Sequence, residues 1–148
     1  MRAQLASFCL AIAFPIQSFA MSCNISSMPI GDLGVYTPEI DVTRQYAIFL
    51  NCTGGGGMAS ITAGPSHTTG SIENRRIKHS NQTSTLRYQL CLDGNCSKIF
   101  GNSGNQIGSV VIDDRNQGRF SFFARIYGGE FQAAAGLYRD SVTITITP

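Results

Sequence analysis

The sequence predicts an all-β domain, an immunoglobulin-like antiparallel sandwich, and three observations carry that prediction. Apolar residues recur at every second position, glycine and asparagine clusters interrupt them at intervals of roughly ten residues, and helical spacing has almost no foothold after residue 20. With 148 residues, 43% hydrophobic and 14% charged, the chain buries one core and is too short for two ordinary domains. No linker or internal repeat divides it, so one sandwich is the economical architecture, although a closed barrel satisfies the same alternation.

The first segment differs from the rest. Arg2 gives a basic start, residues 5–14 form an apolar run, Pro15 breaks it, and the small residues Ser18 and Ala20 stand where a signal peptidase reads. A signal peptide over 1–20 is therefore expected, leaving 21–148 as one exported domain. The strands follow in order. Residues 23–28 open the domain, and 44–52 place Tyr46, Ile48, Leu50 and Cys52 on one face. After 58–63 and 75–79, the stretch from Ser84 sets Leu86, Tyr88, Leu90 and Leu92 on one face. Shorter strands at 97–100 and 109–112 precede a long aromatic one at 119–127 and the alternating 141–147. Breakers separate them: glycines 54–57, the 65–70 loop that starts at Pro65, and Gly128 with Gly129.

Signal cleavage removes Cys9 and leaves Cys23, Cys52, Cys91 and Cys96, an even set that favours disulfides in an exported domain and allows three connectivities. Strand parity chooses among them. Cys23 shares parity with Ile25, and Cys52 with Leu50, so both point to the core and can meet. Cys91 is out of phase with Leu86, Tyr88 and Leu90 and lies on the opposite face. Asp93-Gly94 is a favoured hairpin turn that would set Cys91 directly opposite Cys96 as a staple. Zinc is the rival use of cysteine, but Cys-x-x-Cys is absent and His67 and His79 lie in polar sequence.

Eleven Lys and Arg against nine Asp and Glu leave a net charge of +2, scattered along the chain, so nucleic acid is not an expected partner. Nothing after residue 20 approaches the roughly 18 apolar residues of a membrane span. Arg75, Arg76 and Lys78 form one basic cluster, which reads as a solvated strand face able to meet an acidic surface. Catalysis finds no footing: there is no Gly-x-Ser-x-Gly, no His-Glu-x-x-His and no phosphate loop, and adjacent Asp113 and Asp114 would point to opposite faces of a strand. No enzyme activity, cofactor or metal is expected. Tyr36, Tyr46, Phe49, Tyr127 and Phe131 supply the stacking faces that a carbohydrate-binding sandwich would need.

These residues carry a resemblance. A cysteine before the first strand, the run Gly31, Asp32, Leu33, Gly34, Val35, Tyr36, Thr37, Pro38 and a strand closing on Cys52 resemble the opening of the spore coat protein U family. Arg76, then Leu86, Arg87, Tyr88, Gln89, Leu90, Asp93 and Ile99, Phe100, Gly101 are similar to its middle. The run Ala124, Arg125, Ile126, Tyr127, Gly128, then Gly136, Leu137, Tyr138, Arg139, Asp140 and the alternation at 141–147 resemble its end.

The resemblance implies a secreted coat protein or a subunit of an archaic chaperone-usher pilus, working in adhesion and biofilm formation at the cell surface. It implies an incomplete sandwich, completed first by a periplasmic chaperone at the outer-membrane usher and then by a neighbouring pilin subunit. The apolar row Val142, Ile144 and Ile146 is the expected wall of that groove. Cleavage after Ala20 leaves only Met21 and Ser22 ahead of Cys23, too little for a donor strand, so a fibre end, a tip or another minor position is expected, or a non-fibrous coat protein. Gly54, Gly57, Gly128 and Phe131, in the loops, are the candidates for contact with a surface or glycan.

Overall fold

The structure, a computed structural model, describes residues 20–28 and 33–148; apart from Ala20, the expected signal peptide lies outside the described residues. Among the described residues nine strands follow in order: β1 Ser22–Ser27, β2 Val42–Thr53, β3 Gly57–Ala63, β4 Arg76–His79, β5 Thr85–Cys91, β6 Gly108–Ile112, β7 Gln117–Ile126, β8 Tyr138–Arg139 and β9 Ile144–Thr147, with one 3₁₀ turn at Gly104–Gln106. All described pairings are antiparallel.

The long strand β7 organises the sheet. One edge of it pairs with β2 from Val42↔Ile126 to Asn51↔Gln117. Its other edge is shared, meeting β6 at Ile112↔Gly118 and β5 from Tyr88↔Ile126 to Cys91↔Phe123. The two layers of the sandwich, β1-β2-β7-β5-β4-β8 and β6-β3-β9, are thus joined through β7. The hydrogen-bonded path β8-β4-β5-β7-β6-β3-β9 ends at β8 and β9 without closing among the described residues, which rules out the barrel reading.

The predicted alternation places the core. Ile48 and Leu50 on β2, Phe120 and Phe122 on β7, and Leu86 and Leu90 on β5 are buried against Ile61, Val110 and Ile112 of the facing layer. Phe100, from the connection after β5, is fully buried with its ring centroid 5.1 Å from Phe120 and 5.7 Å from Phe122. Gly108 has to be glycine, because a Cβ there would lie 2.4 Å from the Phe120 ring.

Both disulfides form as expected, with a correction at the second. Cys23 stands directly opposite Cys52, Cα atoms 4.0 Å apart, with Cys52 buried and Cys23 half-buried. Cys91 bonds Cys96 with Cα atoms 5.0 Å apart, yet its cross-strand neighbour is Ile99. Leu92 N–H donates to Lys98 O and Phe100 N–H to Leu90 O, so the hairpin loop is longer than a two-residue turn and contains Cys96 at φ 58°. The reason lies in Asp93: its carboxylate accepts the backbone N–H of Ser97 and Lys98 and the Ser97 hydroxyl, stabilising the wider loop. The strand expected at 97–100 shrinks to that single Ile99 bridge.

Arg75 is the second correction. It is fully buried rather than solvated, donating from its guanidinium to Gln89 Oε1, to Gly64 O at 2.7 Å and to Ala63 O at 3.3 Å. Gln89 in turn donates to Ile72 O at 2.9 Å, so the two side chains fasten the 64–75 loop onto β5. Burial lowers the affinity of Arg75 for its proton, and the charges of Tyr88, Glu73 and Asp140 act the other way.

Candidate apolar groove beside the C-terminal strand

The C-terminal segment is bonded on one side. β9 pairs with β3 from Ser60↔Thr147 to Ala63↔Ile144, and the same edge continues through Gly64 N–H to Thr143 O at 2.8 Å and His67 N–H to Ser141 O at 3.0 Å. Along the other edge the described residues supply no strand partner, so that row of N–H and C=O groups is open. Period-two alternation turns Val142, Ile144 and Ile146 inward and Ser141, Thr143, Thr145 and Thr147 outward. The inward three remain only half-buried, whereas on β3 Ile61, opposite Ile146, and Ala63, opposite Ile144, are buried.

The reason is an unfilled groove of about 1250 Å³ between β9 and the inner face of the large sheet. Val142 and Ile144 line one wall; Tyr46, Leu86, Tyr88, Phe122 and Ile126 line the facing one. Ile146 continues the row beyond the groove's lining. A space this long, apolar on both walls and flanked by an open strand edge, has the chemistry to take up an extended segment with alternating apolar side chains.

Two anchors hold its shape. At one end Asp140, just ahead of the open strand, accepts the Tyr88 hydroxyl at 2.5 Å and the Thr68 N–H and hydroxyl at 3.0 and 2.9 Å. Burial pushes the Asp140 carboxyl up, but the hydrogen bonds from Tyr88, Ser66 and Thr68 outweigh it and hold the group below its usual range. Burial, and then the bond to Asp140, push the Tyr88 phenol well above its ordinary value. At the rim His79 Nδ1 accepts Asn81 N–H at 3.0 Å, which leaves Nε2 as the donor to Ala135 O at 3.1 Å, and Tyr138 donates to Ala134 O at 2.8 Å. Glycine at 136, φ +148°, is required where a Cβ would strike the His79 ring.

The loop residues expected to meet a surface do not converge. Gly54 and Gly57 follow β2; a Cβ on Gly54 would lie 2.8 Å from Ala20 O, and Gly57 faces Met21. Gly128 and Phe131 lie at the other end of the twelve-residue β2, about 35 Å away at strand rise. There Gly128 donates to the Asp41 carboxylate at 2.9 Å, and Phe131, exposed, stands on the rim of the groove with Val35 and Leu137. Among the aromatic residues, Tyr36 and Tyr46 line the groove, Tyr127 lies under Arg87, and Phe49 is half-covered. The groove itself extends further than the sequence showed: Val142 and Ile144 were legible as a row, while the facing wall needs strands brought together from 46 to 126. No group of acidic, His or Cys side chains suited to a metal occurs among the described residues.

Comparison with known proteins agrees with this architecture. The Spore Coat Protein U domain matches residues 7–145. Among solved structures, the chain is similar to one from the pre-assembly complex of the chaperone CsuC and the tip adhesion subunit CsuE, of the archaic chaperone-usher Csu pili of Acinetobacter baumannii, at TM-score 0.62 and 18% identity over 86% of this chain and 40% of that one. It is also similar to the P pilus rod subunit PapA, at TM-score 0.56 and 15% identity over 84% of this chain and 97% of that one. This chain therefore spans about two-fifths of its Csu counterpart, and at these identities the likeness is one of fold. No curated protein sequence matches it.

Proposed function

Because this chain belongs to the Spore Coat Protein U domain family, we propose that it is an exported, non-enzymatic subunit of a chaperone-usher pilus, completed in its groove by a strand from another protein. The observation that carries this reading is the half-buried row Val142, Ile144 and Ile146 on a strand whose outer edge is open beside a 1250 Å³ apolar groove. A periplasmic chaperone supplies the strand first. At the outer-membrane usher, the N-terminal extension of a neighbouring subunit takes its place.

Its position in the fibre is terminal or minor, and its work is surface adhesion in biofilm formation. Support for the position comes from Ser22–Ser27, which is already consumed as β1, paired to β2, and so is not itself free to donate. The subunit accepts a neighbour and is not accepted by one.

Two experiments test this. Co-expression with a periplasmic chaperone should yield a soluble complex, and Ile144→Asp should abolish capture by placing a charge in the groove while both disulfides still form. A stable, cooperatively unfolding monomer obtained without a chaperone would sink the groove reading. Immunogold labelling should mark one distal end of the fibres; label spaced along the shaft, or a mature N-terminus well upstream of Met21, would sink the terminal position.

A further inference from the structure

Strand register gathers five cations at one end of the outward face of the large sheet. Arg139 on β8 stands opposite Lys78 on β4, Arg76 on β4 opposite Arg87 on β5, and Gln89 on β5 opposite Arg125 on β7. Their neighbours along each strand, such as Ile77, Leu86 and Ala124, are core residues, so alternation turns all five outward. Two adjacent rows thus set like charges directly against each other, an arrangement that costs a sheet stability.

Little neutralises them. Arg76 is 3.2 Å from Glu130, the one such ion pair among the described residues. Arg87 lies 4.3 Å over the Tyr127 ring, and Arg125 donates to the Thr43 hydroxyl at 2.9 Å, contacts that hold each guanidinium at the surface with its charge intact. Lys78, Arg87 and Arg139 are exposed.

We propose that this face binds an acidic polysaccharide through its carboxylate or sulfate groups. Guanidinium forks take such groups bidentately, and a polymer with an acid on each repeat needs only cations spread over a flat surface. A nucleic-acid strand would look for free aromatic rings; on this face Arg87 covers the Tyr127 ring and Phe123 is only half-exposed. Arg139 stands at the rim of the groove, while Lys78, Arg87 and Arg125 lie on the side of the sheet away from it and stay available whether or not a strand occupies it.

The test compares three forms of the full exported chain on polygalacturonate films over a range of salt, with neutral dextran and single-stranded DNA alongside. Wild type should bind polygalacturonate, with affinity falling as salt rises, and leave dextran unbound. Lys78→Gln/Arg87→Gln/Arg139→Gln should lose about tenfold in affinity, each exposed charge contact being worth about two- to threefold. Its thermal midpoint should not fall, since like-charge rows are relieved. Arg44→Gln/Lys98→Gln/Arg115→Gln removes the same charge elsewhere and should stay within about twofold of wild type. An unchanged affinity in the first variant, an equal loss in the second, retention on dextran, or tighter binding to DNA than to polygalacturonate would each overturn the proposal.

Discussion

Tyr88 donates its phenolic hydroxyl to the Asp140 carboxylate at 2.5 Å, tying the middle of β5 to the residue from which the open C-terminal strand departs. One wall of the groove is thereby held at a fixed separation from the other before anything fills it. Tyr88→Phe removes the bond and leaves one oxygen of Asp140 short of a donor, so unfolding in urea should show a loss of about 1–2 kcal/mol. No loss would mean that Thr68 and Ser66 hold Asp140 without Tyr88.

The same pair sets a pH dependence. The folded-state carboxyl of Asp140 lies below its unperturbed value of 3.8, so its contribution to stability is fully present above that pH and is lost as pH falls through the lower folded value. Asp140→Asn should therefore flatten part of the acid limb of the stability curve while lowering stability near neutrality. A variant curve that parallels wild type between pH 5 and 2 would contradict the assignment; the window is set by roughly the usual carboxylate range.

The two disulfides should differ in weight. Cys23–Cys52 has a sequence separation of 29 and Cys91–Cys96 one of 5, which on chain-entropy grounds correspond to about 3–4 and about 2 kcal/mol. Cys23→Ser/Cys52→Ser should accordingly lower the thermal midpoint more than Cys91→Ser/Cys96→Ser. Peptide mapping without reductant checks the pairing itself, and a free thiol or crossed pair would refute both registers.

Arg75 and Lys78 stand three residues apart and should respond in opposite ways. Arg75→Leu strips the donors from Gly64 O, Ala63 O and Gln89, all in buried surroundings, and should cost about 3 kcal/mol. Lys78→Ala, on the outward face, should stay within about 0.5 kcal/mol. Equal effects in denaturant titrations would show that the 64–75 loop is not fastened through Arg75.

Gly108→Ala tests the packing between the layers. The added methyl would sit 2.4 Å from the Phe120 ring and 2.9 Å from Ile61, so the aromatic cluster around Phe100 must shift, at a cost of about 1–3 kcal/mol. Gly70→Ala adds its methyl to open space but at φ +67°, and should cost about 1 kcal/mol through backbone strain alone.

Much of this molecule was legible residue by residue. The strands at β2, β3, β5, β7 and β9, the inward row Val142, Ile144 and Ile146, and the Cys23–Cys52 pairing follow from period-two alternation, which acts over a few neighbouring positions; Cys91–Cys96 pairs as expected, but the turn that predicts it is tighter than the one that forms. Tertiary structure alone decided what depends on which strands become neighbours. The two-residue β8 has too little sequence to alternate; Cys91 faces Ile99 because Asp93 organises a wider loop; Arg75 is buried because the 64–75 loop folds over β5. Likewise, the wall facing Ile144 and the cationic rows of Arg76 with Arg87 and Lys78 with Arg139 exist only once β4 is flanked by β5 and β8. Alternation tells each side chain which face it takes, whereas the neighbour across the sheet is chosen by pairing between segments distant in sequence, through the packing of the whole core.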